Sequence, residues 1–274
     1  MPKYIPGAVV PSKQALTQYW QRVFPQALRY LGNRPLKLVR SDHGKAFFHY
    51  GALPPVPAAV HQMRIKKREG GEGVRLWVDS CEGLLSLVEI EVVEVHPWGA
   101  TIDDIEHPDL LAFNLKPGRD ISWEQVVETA LELRAMLKSE GHDSWPKLIG
   151  EKGLHVMIPI DRSLTWSEAR PYTEQLAQRL AATAPNRYTL SAGDSSRVGK
   201  IYIDCKENGR GLTTIGVYSP RALKGFPIVA KVTWTELEKG LPPDAFTMEC
   251  PKTSRKPAER RRRTSTRRTP PKKR

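Results

Sequence analysis

Residues 110–125, with the sequence LLAFNLKPGRDISWEQ, join an apolar strand, a Pro-Gly turn and a helix start in one short segment. The apolar residues 110–113 predict a buried strand. The SWEQ sequence is a capping box, in which Ser122 caps the helix and Gln125 reaches back to the Ser122 amide. A strand that turns directly into a capped helix favours a fold in which helices pack on a sheet.

Asn114 and Lys116 lie two positions apart near the end of this predicted strand. Alternate residues of a strand point to the same face of the sheet. An amide and an ammonium therefore share one face at a strand end, where α/β-type folds tend to place their chemistry. This pair is the first candidate site in the chain.

The rest of the chain alternates helical and strand patterns. Long helices are predicted at residues 12–31 and 123–140 and from the TWSE capping box to about residue 184, with a short helix near residues 84–87. Predicted strands include RPLKLVR, VRLWVD, EIEVVEVHPW, LHVMIPI, KIYIDC and LTTIGVYS. These elements predict the α+β class, with mixed or antiparallel sheets flanked by helices, in a single compact domain over residues 1–251.

The net charge of +13 is concentrated at the C-terminus. Residues 252–274 carry twelve of the 43 Lys and Arg residues and one of the 30 acidic residues, so residues 1–251 are nearly neutral. This tail has no apolar anchor and is predicted to be disordered. Its run of four arginines, Arg260, Arg261, Arg262 and Arg263, favours a phosphate-binding arm for nucleic acid. A solubilising or linker tail is the alternative.

The remaining composition predicts a soluble cytoplasmic protein. The three cysteines show no metal-ligand spacing and are interpreted as reduced thiols. The N-terminus lacks a continuous apolar signal-peptide core. No apolar run approaches the length that a membrane span needs.

Three further segments contain chemically active residue types. The turn in IGEKGLHVMIPI holds Lys152 and His155, and its glycines would allow a close approach to phosphate. KIYIDCKENGRG holds Asp204 near a strand end and Arg210 in a glycine-flanked loop, and EVHPWGA holds His96. Each segment also has a structural alternative: a plain hairpin turn, a carboxylate that accepts turn hydrogen bonds, or a histidine satisfied by its neighbours.

The order and spacing of these segments are more specific than any one of them. HPWGA, the strand–Pro-Gly–helix segment, GxKGLHVxxP and IxIDxxxNGRGxTTxxxYSPRA together resemble the polymerase domain of bacterial ATP-dependent DNA ligase D. That domain belongs to the archaeo-eukaryotic primase–polymerase superfamily. The resemblance extends over roughly residues 12–248 and implies a primase-like fold.

The resemblance implies nucleotide addition to DNA ends by two-metal chemistry with Mg²⁺ or Mn²⁺, in non-homologous end joining. It implies DNA ends and NTP or dNTP as ligands, and Ku and a ligase module as partners, in the bacterial cytoplasm and nucleoid. Asp204 matches the third metal-binding aspartate of the family. The matching nucleotide-pocket positions are His96, Gly150, Lys152, Gly153, His155 and Arg221. The expected DNA-contacting positions are Lys13, Phe47, Phe48 and Arg210, together with the four tail arginines.

The chain departs from the family at the catalytic positions. Asn114 and Lys116 stand where the family has its first two metal-binding aspartates, and Ile149 and Tyr50 replace two further polar positions. Asp204 then remains as the candidate metal ligand, and the binding of no metal is an open alternative. An ammonium near a divalent cation is repulsive by a few kcal/mol at an effective dielectric constant of about 20. We therefore expect the Lys116 ammonium to pair with Asp204.

Three hypotheses follow from these departures. The first is a DNA-end- or nucleotide-binding accessory protein of end joining whose metal-dependent catalysis is lost or strongly impaired. The second is an active, Mn²⁺-dependent primase–polymerase with an altered metal arrangement. The third is an interaction module that does not bind nucleotide.

Overall fold

The computed structural model describes residues 3–49, 55–67 and 70–252. Tyr50 and the four tail arginines, Arg260 to Arg263, lie outside these residues. Lys252, predicted as the first residue of the tail, contacts the body: its Nζ lies 2.6 Å from Glu236 Oε2 and its carbonyl accepts from the Tyr218 hydroxyl at 3.0 Å.

The described residues form five α-helices. Their bounds are α1 Lys13–Leu31, α2 Cys81–Glu89, α3 Trp123–Ser139, α4 Trp166–Thr183 and α5 Trp234–Glu238. The capping boxes predicted at Ser122 and Thr165 are present, and Ser12 accepts a hydrogen bond from the Ala15 amide at the start of α1. No helix among the described residues has the length and apolar character needed to cross a membrane.

The described strands form two sheets. The first sheet is antiparallel and contains β1 Leu36–Asp42, β2 Lys45–Phe48, β3 His61–Lys66, β4 Glu72–Trp77 and β5 Val92–Pro97. The second contains β6 Leu110–Pro117, β7 Trp145–Leu148, β8 Leu154–Pro159, β9 Tyr188–Thr189, β10 Ile201–Asp204 and β11 Ala230–Lys231. Its order is β11-β7-β8-β6-β10-β9, and only β9 and β10 pair in parallel. The predicted α+β class with mixed and antiparallel sheets is confirmed.

The second sheet has one apolar and one polar face. Leu111, Phe113 and Leu115 of β6 are fully buried in a core that also contains residues of α3 and α4. The residues between them, including Asn114, point to the opposite face because side chains alternate along a strand. Helices therefore cover one face of this sheet, and the other face is left for polar side chains.

A second core belongs to the antiparallel sheet. It joins the apolar faces of α1 and α2, with Trp20 and Leu84 buried, to β1 and β5 through Leu38 and Val95. Tyr218, which lies between β10 and β11 of the second sheet in the chain, packs in the same core and accepts a hydrogen bond at its carbonyl from the Tyr19 hydroxyl at 2.7 Å. These contacts tie the two sheets into one body.

The strand predicted at residues 212–219 is wrong. The segment belongs to no strand of either sheet. Gly216 N donates to Val95 O at 3.0 Å, and Val229 both accepts from Tyr218 N at 2.8 Å and donates to Ser219 O at 3.0 Å. A side chain at Gly216 would place Cβ 2.2 Å from a Leu31 methyl group, so only glycine fits there. We call residues 212–217 the strap, because they cross the polar face of the second sheet instead of extending a sheet. Strands β2, β7, β9 and β11 and helix α5 are elements that the sequence patterns did not predict.

The Pro117-Gly118 turn that ends β6 is tightly packed. Gly118 N donates to Lys200 O at 2.9 Å. An added Cβ at Gly118 would lie 1.6 Å from Arg197 O, closer than any real contact allows.

We therefore expect Gly118→Ala to lower the free energy of unfolding by about 1–3 kcal/mol, because backbone must move to make room. Gly193→Ala is a matched control, since its Cβ would meet only side-chain atoms at 3.6 Å and beyond. Urea denaturation of both variants measures the difference. Equal stabilities for the two variants would contradict the tight packing of this turn.

Candidate functional site

Four polar residues form a row across the polar face of the second sheet. Lys147 of β7 pairs with His155 of β8, His155 pairs with Asn114 of β6, and Asn114 pairs with Asp204 of β10. Directly opposed residues in antiparallel strands project to the same face. All four are buried, so the row concentrates polar groups in a place where each needs a partner.

Lys116 and Asp204 form the ion pair expected from the sequence. Lys116 Nζ lies 2.6 Å from Asp204 Oδ2, and Asp204 Oδ1 accepts from the Lys206 amide at 3.0 Å. Burial raises the pKa of Asp204, but the hydrogen bonds from Lys116 and Lys206 outweigh it and hold the pKa below its ordinary value. Asp204 is therefore an anion at neutral pH, neutralised by Lys116.

Glu207 brings a second carboxyl group to the site, where the sequence suggested that Asp204 alone remained. It lies in a short 3-10 helix, Lys206–Asn208, that follows β10. Glu207 Oε1 accepts from Asn114 Nδ2 at 3.4 Å, and Glu207 Oε2 is buried with no hydrogen-bond partner among the described residues. Burial raises its pKa above the ordinary value. Its place three residues after Asp204 was the signal available in the sequence.

A cavity of about 490 Å³ opens over this row. Six of the predicted site residues line it: Phe48, His96, Asn114, His155, Asp204 and Arg221. The other lining residues are Lys37, Ile149, Glu151, Lys206, Glu207, Leu212, Thr213 and Ile215. The structure thus brings residues from distant parts of the sequence to one cavity, as the resemblance implied.

Glu94 organises His96 and Arg221 at one side of this cavity. His96 Nε2 lies 2.9 Å from Glu94 Oε2, and Arg221 Nε lies 3.2 Å from Glu94 Oε1. Burial lowers the pKa of His96 despite the neighbouring carboxylate, so the ring is neutral at pH 7. Arg221 also bonds Ile149 O and lies 2.6 Å from Glu151, so it ties down the glycine turn. Glu94 was not predicted from the sequence.

The glycine turn between β7 and β8 borders the site mainly with its backbone. Gly150 has a φ of 75°, and an added Cβ would lie 2.9 Å from Pro227. An added Cβ at Gly153 would lie 3.8 Å from Asn114 Oδ1, so this glycine lies beside the polar row. Lys152 is exposed at the turn and lies outside the cavity lining.

Lys147 was not predicted as a site residue from the sequence. It is the lysine of the row and is deeply buried, with 2% of its surface exposed. Burial lowers its pKa to about 7. Its Nζ donates to Thr214 Oγ1 at 3.0 Å and to Ile215 O at 2.9 Å, which fastens the strap. Burial, and secondly the positive charge of Lys147, lower the pKa of His155 well below its ordinary value, so His155 is neutral. A lysine inside the apolar WPKL strand was the available signal.

The predicted DNA-contacting residues that the structure describes, Lys13, Phe47, Phe48 and Arg210, are spread over separate elements. Lys13 Nζ lies 2.6 Å from Glu91, and Arg210 binds Glu106 through two nitrogens at 2.7 and 2.6 Å. Phe47 packs edge-on against Tyr4 with ring centroids 6.1 Å apart. The structure therefore separates these positions from the cavity, with Phe48 as the exception.

Comparison with known proteins gives the family. The model of the LigD primase-polymerase domain matches residues 12–259, most of the chain. The chain belongs to this family. The family prediction made from the sequence is confirmed.

Relatives of the LigD family share about the same identity with this chain over similar lengths. The multifunctional non-homologous end joining protein LigD of Pseudomonas aeruginosa is 30% identical over 240 residues, which is 86% of this chain and 28% of that protein. The Mycobacterium tuberculosis H37Rv protein is 28% identical over 83% of this chain, and the bifunctional Bacillus subtilis protein is 27% identical over 87%. The chain spans between 28% and 39% of the length of these relatives.

A solved structure has the same fold. The polymerase domain from Mycobacterium tuberculosis ligase D, solved in complex with DNA, superposes with a TM-score of 0.79 at 24% identity and covers 91% of each chain. This similarity establishes that the LigD polymerase-domain fold is shared.

The residues at the family's metal positions do not fit two divalent cations. Such ions prefer several carboxylate oxygens. Here Asp204 Oδ2 is engaged by the Lys116 ammonium, Asn114 contributes no charge, and burial favours the neutral form of Glu207. Within residues 3–49, 55–67 and 70–252, no group of three or more His, Cys, Asp or Glu residues is arranged to hold a metal ion.

The Lys116–Asp204 pair should contribute to stability. Lys116→Met leaves a buried carboxylate without its cation and should lower the free energy of unfolding by about 1–2 kcal/mol, since solvent screens the partly exposed ammonium. Adding Asp204→Asn should cost less than the two single changes together, because both partners are then gone. Urea denaturation at pH 7 measures this coupling, and strictly additive losses would mean that the pair contributes nothing.

Proposed function

We propose that this protein acts in bacterial non-homologous end joining as a LigD polymerase-domain-like protein that binds DNA ends and nucleotides, with its metal-dependent nucleotidyl transfer lost or strongly impaired. The observation that carries the proposal is the 2.6 Å ion pair between Lys116 and Asp204 beside the neutral Asn114. Its relatives are described as non-homologous end joining proteins, which supports the repair context.

Charge is the physical reason for the proposed loss. Two divalent cations bring four positive charges, which a polymerase site offsets with carboxylates before the triphosphate arrives. In this chain the Asp204 charge is cancelled by Lys116, and Glu207 is held in a setting that favours protonation. A cation entering here must displace the ammonium, and the raised pKa of Glu207 makes its charged form harder to reach.

Retained nucleotide binding is supported by the lining of the cavity. Lys37, Lys206 and Arg221 supply positive charge around the polar row. Phe48 lies 5.7 Å from the His96 ring, and Lys37 Nζ lies 4.8 Å from the Phe48 ring. Cations beside an aromatic ring suit a phosphate with an attached base.

DNA-end binding is proposed from the same family membership and from surface cations. Lys13 and the four tail arginines are the proposed phosphate contacts, with Phe47 and Phe48 against template bases. The exposed Lys13–Glu91 pair is no obstacle, because exposed ion pairs are weak and exchange readily for phosphate. The domain boundary at residue 251 and the role of Ku and a ligase module as partners also belong to this proposal.

An active enzyme with an altered metal arrangement is the second candidate. The observation in its favour is Glu207, which lies beside Asn114 and whose buried Oε2 finds no hydrogen-bond partner in the described part of the chain. A carboxylate in this place could replace one of the missing ligands if the triphosphate delivered the metal.

Primer extension separates these two candidates. With Mn²⁺ and ribonucleotides, the wild-type chain should extend a recessed DNA primer no faster than the Asp204→Asn control. Asn114→Asp/Lys116→Asp should gain at least roughly a hundredfold in rate, because it restores two carboxylates and removes the ammonium. Robust extension by the wild type that Glu207→Gln abolishes would instead establish the altered-metal enzyme.

Equilibrium binding tests whether ligand recognition remains. Labelled NTP and a 5′-phosphorylated, recessed DNA end should both bind the wild type. Lys206→Ala should weaken NTP binding about tenfold, because it removes a positive charge that lines the cavity, while the exposed Lys138→Ala serves as the matched control. If the wild type binds neither ligand, the protein is a non-enzymatic interaction module and the proposed function fails.

A further inference from the structure

A second cavity of about 230 Å³ lies on the same polar face of the second sheet, on the other side of the strap. The strap contributes Thr213 to the first cavity and Gly216 to the second, while Ile215 borders both. The second cavity is bounded by the end of α1, the start of β6, and strands β7, β8 and β11. It contains none of the family's metal-site or nucleotide-pocket positions.

Two lysines are placed directly opposite each other in this cavity. Lys147 of β7 and Lys231 of β11 are Cα partners in an antiparallel pair, and both line the cavity. Like charges in directly opposed positions are destabilising. Burial lowers the pKa of both side chains. An arrangement that is unfavourable in the empty protein becomes favourable when an anion lies between the two groups.

The remaining charges leave a cationic surplus. Arg34 is neutralised by Asp109 through two hydrogen bonds of 2.7 and 2.6 Å. Arg29 and Lys231 also line the cavity, and within the described part of the chain neither has a carboxylate at salt-bridge distance. Lys147 adds a third cation whenever it is protonated. The cavity thus offers two to three positive charges that lie beyond salt-bridge distance of every carboxylate in the described residues.

Aromatic and apolar side chains complete the cavity. The Tyr30 and Trp145 rings pack edge-to-face, 6.2 Å apart, and Lys231 Nζ lies 4.6 Å from the Trp145 ring centre. Leu110 and Met157 also line the cavity. The volume is below the usual range for drug-sized ligands, roughly 300–1,000 Å³. Such a site suits a small ligand with a doubly charged anionic group and an apolar or aromatic body.

We propose that this cavity is a second phosphate site, which binds the phosphomonoester of a single nucleotide between Lys147, Lys231 and Arg29. The nucleotide is either a free mononucleotide or the terminal nucleotide of a phosphorylated DNA strand. The nucleoside lies against Trp145 and Tyr30. The site is separate from the polymerase-like cavity and does not depend on the function proposed for it.

Isothermal titration of the full chain with AMP tests the site. AMP should bind the wild type, and Lys231→Gln should weaken that binding about tenfold, because one charge-assisted contact is removed. Lys239→Gln, at another exposed lysine, should bind AMP as the wild type does. Adenosine, which lacks the phosphate, should bind at least tenfold more weakly than AMP.

Three results would overturn the proposal: no AMP binding up to millimolar concentration, equal affinities of wild type and Lys231→Gln, or equal binding of adenosine and AMP. Arg29→Gln provides a second variant on a separate element and should reduce AMP affinity in the same direction. Because Arg29 and Lys231 are exposed, we expect both variants to fold as the wild type does. An Arg221→Gln variant, altered only in the first cavity, should retain the Lys231-dependent AMP binding.

A binding experiment with DNA distinguishes the two sources of the nucleotide. Binding of a 5′-phosphorylated oligonucleotide is compared with that of its 5′-hydroxyl form, in wild type and Lys231→Gln. If the 5′-phosphate increases affinity only while Lys231 is present, the ligand is a strand end. If Lys231→Gln weakens AMP binding but leaves the 5′-phosphate effect unchanged, the ligand is a free mononucleotide.

Discussion

The site depends on one constraint, which is that successive side chains of β6 point to opposite faces of the sheet. Leu111, Phe113 and Leu115 must face the helices to form the core, so Asn114 and Lys116 are forced onto the other face. The hydrogen-bonded register then aligns Asn114 with His155 and Asp204. A shift of one residue would bury the polar groups among the helices, and therefore the same packing that stabilises the sheet also fixes the position of the chemistry.

Much of this arrangement could be predicted from residues that act locally. The capping boxes at Ser122 and Thr165 are complete within four residues. The two-residue period of a strand predicts that Asn114 and Lys116 share one face of β6. The Lys116–Asp204 pair followed from one charge replacing another at matched family positions. In each case the determining interaction lies within a short segment or within a motif whose order is itself informative.

The features that escaped prediction are set by contacts between distant segments. The strap is rich in β-branched residues, as a strand would be. However, Gly216 has to pass within reach of Leu31, and Lys147 bonds the Ile215 carbonyl. Glu207 reaches Asn114 only because a short 3-10 helix follows β10. No local pattern encodes these approaches, so β propensity misassigned the strap and the second carboxyl group was missed.

Asn114 and Glu207 are suited to each other as a hydrogen-bonded pair. The Asn114 amide donates to the Glu207 carboxyl group, whereas an aspartate at position 114 would place two acidic groups in contact within a buried region. Without a cation, one of them would be forced to keep its proton. An asparagine at position 114 avoids this cost, which is what the proposed loss of metal-dependent transfer requires. In physical terms Asn114 and Lys116 act together, because the amide leaves Glu207 without an acidic neighbour at position 114 and the ammonium balances the charge of Asp204.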